Sequence, residues 1–96
     1  MRRLFIVAYD ISDPKRLRKV YRTLTGYGDH LQLSVFRCDL TASQRIQLAA
    51  KLQAVIENAE DQVMFVDLGP SDGRTHTIDF MGRPGRASST RGPKVF

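Results

Sequence analysis

Residues 3–24, RLFIVAYDISDPKRLRKVYRTL, decide the fold. The run Leu4-Phe5-Ile6-Val7-Ala8-Tyr9 is apolar without interruption and stops at Asp10, the pattern of a central strand covered on at least one face. Asp13-Pro14 then starts a helix. The Asp side chain accepts from the first free N–H groups, and Pro is at home in a first turn whose N–H has no partner anyway. Leu17, Val20, Tyr21 and Leu24 fall at i, i+3, i+4 and i+7, one apolar stripe. At about 100° per residue, Lys15, Arg18, Lys19 and Arg22 fall on the opposite side. Gly26, after Thr25, suits a left-handed end to this helix.

The remaining elements follow from the same two periodicities. Residues 30–40, HLQLSVFRCDL, alternate as one strand, with room for a break near Ser34; Leu31, Leu33 and Val35 lie on one side and Gln32, Ser34, Phe36 and Cys38 on the other. Thr41 and Gln44 have capping-box spacing. Leu48, Leu52, Val55 and Ala59, backed by Ala49 and Ile56, form the stripe of a second helix. Residues 62–68 read as a strand stopped by Gly69-Pro70, residues 70–74 as a turn, and residues 75–81 as a short strand. The order predicts an α+β, ferredoxin-like βαββαβ sandwich with an extra C-terminal strand. Two helices cover one face of an antiparallel sheet, and a homodimer would cover the other. Residues 1–81 form the domain. Residues 82–96 are expected to be a basic, mobile tail whose last residues, Lys94-Val95-Phe96, could dock on the partner protomer.

Ninety-six residues suffice for one domain with a modest core and not for two. No apolar run approaches the roughly 20 residues that span a bilayer, and the short run after Arg2-Arg3 meets Asp10 too soon for a signal peptide. A lone cysteine, Cys38, forms no internal disulfide and no metal cluster. The expectation is a cytoplasmic protein without a membrane. Walker, GxGxxG, CxxC, HExxH and RNA-recognition-motif patterns are absent from the sequence.

The formal net charge of +5 is less informative than its distribution. Residues 14–22 hold Lys15, Arg16, Arg18, Lys19 and Arg22 with no acid, and residues 82–96 hold Arg83, Arg86, Arg91 and Lys94 with no acid. Helix faces usually mix signs, so this face suits phosphate contact as well as plain solvation. The two early acids differ: the N-cap accounts fully for Asp13, whereas Asp10 ends a strand. A solvated strand end explains Asp10. So does a hard cation such as Mg²⁺, provided a second chain contributes a second carboxylate. His30 and His76 have no partner motif, Ser34 has no adjacent base, and Phe36 suits either the core or a base stack.

The motifs YDI with Asp13 nearby, a basic helix ending in GYG, and LQLSVFRCDL resemble, over residues 3–68, the small CRISPR-associated adaptation family Cas-two (Cas2). The resemblance implies ferredoxin-like homodimers and splits residues 31–40 into two strands near Leu33-Ser34. It makes Asp10 the catalytic residue and the ligand of Mg²⁺ or Mn²⁺, one from each protomer. It makes Arg16 and Arg18, with Lys15 and Lys19, contacts to nucleic acid; in a nuclease, Tyr9, Ser34 and Phe36 would help to place the substrate. It implies metal-dependent endonuclease action on single-stranded RNA or double-stranded DNA, and spacer acquisition with the CRISPR integrase Cas-one. A DNA-binding scaffold without catalysis and a toxin-like RNase are the alternatives.

Overall fold

The computed structural model describes residues 1–72 and 76–83. Its elements are β1 (Arg2–Asp10), α1 (Pro14–Thr25), β2 (Asp29–Gln32), β3 (Val35–Thr41), α2 (Ala42–Gln53) and β4 (Gln62–Pro70). The sheet runs β2-β3-β1-β4 with every neighbouring pair antiparallel. β1 and β2 therefore run the same way with β3 between them, the split βαβ of a ferredoxin-like sandwich.

The apolar run of residues 4–9 becomes a central strand, paired with β3 on one edge and β4 on the other, with its core-facing side buried. Phe5, Val7 and Tyr9 point into a core completed by Val20, Tyr21 and Leu24 of α1, Phe36, Cys38 and Leu40 of β3, and Leu48 and Leu52 of α2. Ile6, Ala8 and Asp10 therefore project from the other face, which no helix covers. Across the ladders they meet Val66, Met64 and Gln62 of β4, while Val35 faces Ala8 from β3. Met64 is 51% exposed, Val66 38% and Leu68 39%, so this face is apolar and open in the protomer.

Both helix starts match their signals. Asp13 is extended and accepts from the Arg16 N–H at 2.9 Å, with Pro14 following. Thr41 and Gln44 close a reciprocal capping box. The end of α1 differs from expectation: Gly26 has φ −78°, and the chain stops through the Tyr27 and Gly28 N–H groups bonding back to the Leu24 carbonyl. The glycine the fold needs is Gly28, where a Cβ would run into the Arg37 carbonyl oxygen and the Cys38 sulfur.

Residues 30–40 form two strands joined at Leu33-Ser34, not one. The reversal shifts the alternation, so Leu31, Phe36, Cys38 and Leu40 are buried while Leu33 is 56% exposed. This turn carries no Gly or Asn and is held from outside itself. Tyr9 N–H bonds to the Ser34 carbonyl at 3.0 Å, and the Tyr9 hydroxyl donates to the Leu33 carbonyl at 3.3 Å. A His30 ring nitrogen also lies 3.1 Å from that carbonyl.

The expected α2 stripe overshoots at Ala59, which is exposed. The helix ends at Gln53, and Val55 and Ile56 pack on the core from the turn that follows. β4 continues through Gly69, whose φ of 96° accompanies a register shift against β1, to Pro70. Residues 76–81, expected as a strand, form none. Nothing in the described sheet pairs with them, and Met81 is 98% exposed. Residues 84–96, where a docking tail was expected, lie outside the described residues.

Candidate functional site

One end of the sheet gathers most of the chemistry. β1 delivers Asp10 there as its last residue, facing Gln62 across the β4 ladder, with the Leu33-Ser34 turn alongside. The Asp10 carboxylate is exposed and makes no hydrogen bond or ion pair among the described residues. Asp13, three residues on, is occupied as the N-cap, and the Arg16 backbone N–H holds its carboxyl below the usual carboxylate range. Only Asp13 is engaged as a helix cap, and Asp10 is left without such a partner among the described residues.

The loop after Asp10 is tied down by an acid that the sequence did not flag. Asp61, the residue before β4, has a side chain with no exposed surface. Its Oδ1 accepts from the Ser12 N–H at 3.0 Å and its Oδ2 from the Glu57 N–H at 2.8 Å. Arg16 meets it with two donors, Nε to Oδ2 at 2.7 Å and Nη2 to Oδ1 at 3.2 Å. The same Nη2 reaches Glu60 at 3.0 Å and the Ser12 hydroxyl at 3.2 Å. The Arg16 hydrogen bond, then the two backbone donors, hold the Asp61 carboxyl well below its usual range, and its partners hold Arg16 protonated.

This pairing divides the basic helix. At about 100° per residue, Lys15, Arg18, Lys19 and Arg22 span one contiguous arc opposite the buried stripe, while Arg16 lies on its flank toward Asp61. All four arc cations are exposed and none has an ion pair among the described residues. Arg22 joins the surface that the family resemblance assigned to Arg16, Arg18, Lys15 and Lys19. Arg16 spends its guanidinium inside the protomer.

The residues expected to place substrate sit differently. Phe36 has no exposed surface and contacts the rings of Tyr9, Tyr21 and His30 at centroid distances of 6.3, 5.6 and 4.9 Å. It is core and offers a base no face. Tyr9 is 5% exposed, and burial, then the nearby Tyr21, pushes its hydroxyl up to about 12, so the phenol stays protonated at neutral pH. Ser34 is half-buried in the turn beside Asp10. Burial, then Asp29, raises the Cys38 thiol to about 12, consistent with a packing role.

Among the described residues no three His, Cys, Asp or Glu side chains gather as a metal site. A single exposed, unpaired carboxylate does not make a closed cage. It does fit a hard cation that keeps most of its water and takes a second carboxylate from another chain. No helix among the described residues is long and apolar enough to cross a membrane.

A family model described as CRISPR associated protein Cas2 matches residues 1–75. The CRISPR-associated endoribonuclease Cas2 1 of Rhodospirillum rubrum is 43% identical over 79 residues, covering 82% of this chain and 78% of the relative. The CRISPR-associated endoribonuclease Cas2 of Geobacter sulfurreducens is 37% identical over 83 residues, covering 86% and 87%. Among solved structures, Streptococcus pyogenes Cas2 at pH 6.5 superposes with a TM-score of 0.66 at 30% identity, covering 79% of this chain and 99% of that one. A hypothetical protein from Thermus thermophilus gives a TM-score of 0.70 at 29% identity, covering 88% and 99%.

Proposed function

The chain belongs to the Cas2 family of CRISPR-associated proteins, and from that premise we propose that it is a homodimeric, metal-dependent endonuclease acting on single-stranded RNA or duplex DNA. The observation that carries this reading is the Asp10 carboxylate, unpaired among the described residues and exposed at the end of the central strand on the sheet face that no helix covers. That face is apolar at Ile6, Ala8, Val35, Met64 and Val66. A second copy of the same face is its natural cover, since an isologous contact buries both patches, and a two-fold axis passing near the end of β1 would set two Asp10 residues side by side.

The division of labour follows from the side chains. The Asp10 carboxylates, one from each protomer, would hold the cation. A bound Mg²⁺ or Mn²⁺ supplies an activated water and neutralises charge on the scissile phosphate. Lys15, Arg18, Lys19 and Arg22 grip the backbone without reading sequence, since ammonium and guanidinium groups on an exposed helix reach phosphates, not base edges. Tyr9 does not serve as a base, because its proton is held by burial; it fixes the turn next to Asp10.

One observation favours a second reading, a DNA-binding scaffold in spacer acquisition alongside the integrase Cas-one: among the described residues, Asp10 alone offers an unpaired carboxylate at the end of β1. Cleavage of labelled RNA and duplex DNA by wild type and Asp10→Asn, in Mg²⁺, Mn²⁺ or chelator, separates the two. Metal-dependent cutting that vanishes in Asp10→Asn supports the nuclease. Intact duplex binding with no cutting by either protein supports the scaffold, and equal cutting by both overturns the role of Asp10.

A further inference from the structure

We infer that Arg16 and Asp61 are a positioning pair that straps the backbone around Asp10, and that Arg16 is not a phosphate contact. The catalytic half of this inference rests on the nuclease reading above. Asp10 is bracketed by two segments, residues 11–13 on its C-terminal side and residues 57–61 leading into Gln62, its partner across the ladder. The buried Asp61 carboxylate joins them. It takes one backbone N–H from Ser12 and one from Glu57, a further hydrogen bond from the Ser12 hydroxyl at 3.3 Å, and the fork of Arg16. Arg16 is itself fixed by the first turn of α1, where its backbone N–H caps onto Asp13. Strand end, helix start and the α2–β4 loop are thereby pinned to one ion pair, with the Ser12 hydroxyl and Glu60 completing the Arg16 shell.

The geometry argues against phosphate binding at the same residue. Nε and Nη2 are both committed within the protomer, and the Arg16 side chain is 25% exposed. To offer a phosphate its Nε–Nη2 fork, Arg16 would have to leave Asp61, whose side chain has no exposed surface, and breaking such a pair is costly. Asp10 needs such support because its own side chain is free among the described residues. Its placement is then set by the backbone, and misplacement of a reacting group by about 1 Å costs on the order of 100-fold in rate.

The test uses full-length Arg16→Lys, Arg16→Ala and Asp61→Asn, each assayed where denaturant curves show it folded. Readouts are kcat and KM for RNA cleavage, the salt dependence of duplex binding, and amide exchange at residues 11–13. Arg16→Lys keeps the charge and loses the fork, so kcat falls about 10- to 100-fold with KM within about twofold of wild type. Asp61→Asn does the same, and Arg16→Ala leaves the salt slope unchanged. Exchange at residues 11–13 speeds at least about tenfold, reporting loss of the strap. A phosphate role gives opposite signs: Arg16→Lys stays active, Arg16→Ala lowers the slope by about one, and Asp61→Asn, by freeing Arg16, tightens binding. Any of those three outcomes overturns the inference. If wild type does not cleave, the nuclease reading fails. The strap is then decided by slope and exchange, with an unchanged slope and faster exchange upholding it and the reverse refuting it.

Discussion

Replacing Phe36 with leucine separates a core ring from a base-stacking ring, because the two roles change different quantities. Phe36 is fully buried and lies 4.9 Å from the His30 ring, 5.6 Å from Tyr21 and 6.3 Å from Tyr9. Aromatic pairs add roughly 0.5–1.5 kcal/mol each beyond the area they bury. Leucine refills part of the space and keeps none of the three pairings, so the expected destabilisation is about 2 kcal/mol. For a domain of this size, that lowers Tm by roughly 8–16 °C. The assays are thermal and urea unfolding, with single-stranded RNA binding measured at a temperature where the variant stays folded. RNA affinity is expected to change less than about twofold, whereas loss of a stacked base removes roughly 1–3 kcal/mol. A Tm drop below about 3 °C together with a tenfold loss of RNA affinity would refute the core assignment. Leu33→Ala is the control: Leu33 is 56% exposed and contributes to the turn through its carbonyl, so truncation is worth less than about 0.5 kcal/mol.

Three further outcomes are expected. Changing Lys15, Arg18, Lys19 and Arg22 together to Gln lowers the salt slope of duplex binding by about 3.6 per protomer engaged, at roughly 0.9 per phosphate contact; a change below one rules out the arc as the phosphate surface. Asp61 has a depressed carboxyl in the folded protein, so its contribution is complete above the ordinary value of 3.8 and lost as pH falls below it. The urea midpoint of wild type therefore drops more steeply than that of Asp61→Asn between about pH 4 and pH 2, and parallel curves contradict the assignment. Met64→Asp puts a charge on the open sheet face, where Met64 is 51% exposed in the protomer. Sedimentation should show a folded monomer in place of a dimer, and an unaffected dimer moves the interface elsewhere.

Much of the fold is legible because its signals are local. The apolar run ending at Asp10, the Asp13-Pro14 start and the Thr41–Gln44 box each state their own structure within a few residues, and all three stand in the protein. The hairpin at Leu33-Ser34 is not legible from residue type, since its reversal is held by Tyr9 and His30 and not by a turn-forming residue. Alternation across residues 30–40 looks like one strand for that reason. The end of α2 is hidden for a similar reason: apolar spacing continues to Ala59, but Val55 and Ile56 reach the core from a turn, which periodicity cannot tell from another helical turn.

The candidate site divides along the same line. Sequence alone distinguished Asp10 from Asp13, because an N-cap is a local arrangement and a strand-end acid has no local use. It also marked the cationic side of α1, which follows from helical geometry and five residue identities. Tertiary structure decided that Arg16 belongs with Asp61, 45 residues away. It placed Phe36 inside, and it put Asp10 on the face that the helices leave open. The physical reason is range. Capping and periodicity are written in neighbouring residues, whereas an ion pair between distant loops and the choice of which face is covered exist only once the sheet has ordered its strands.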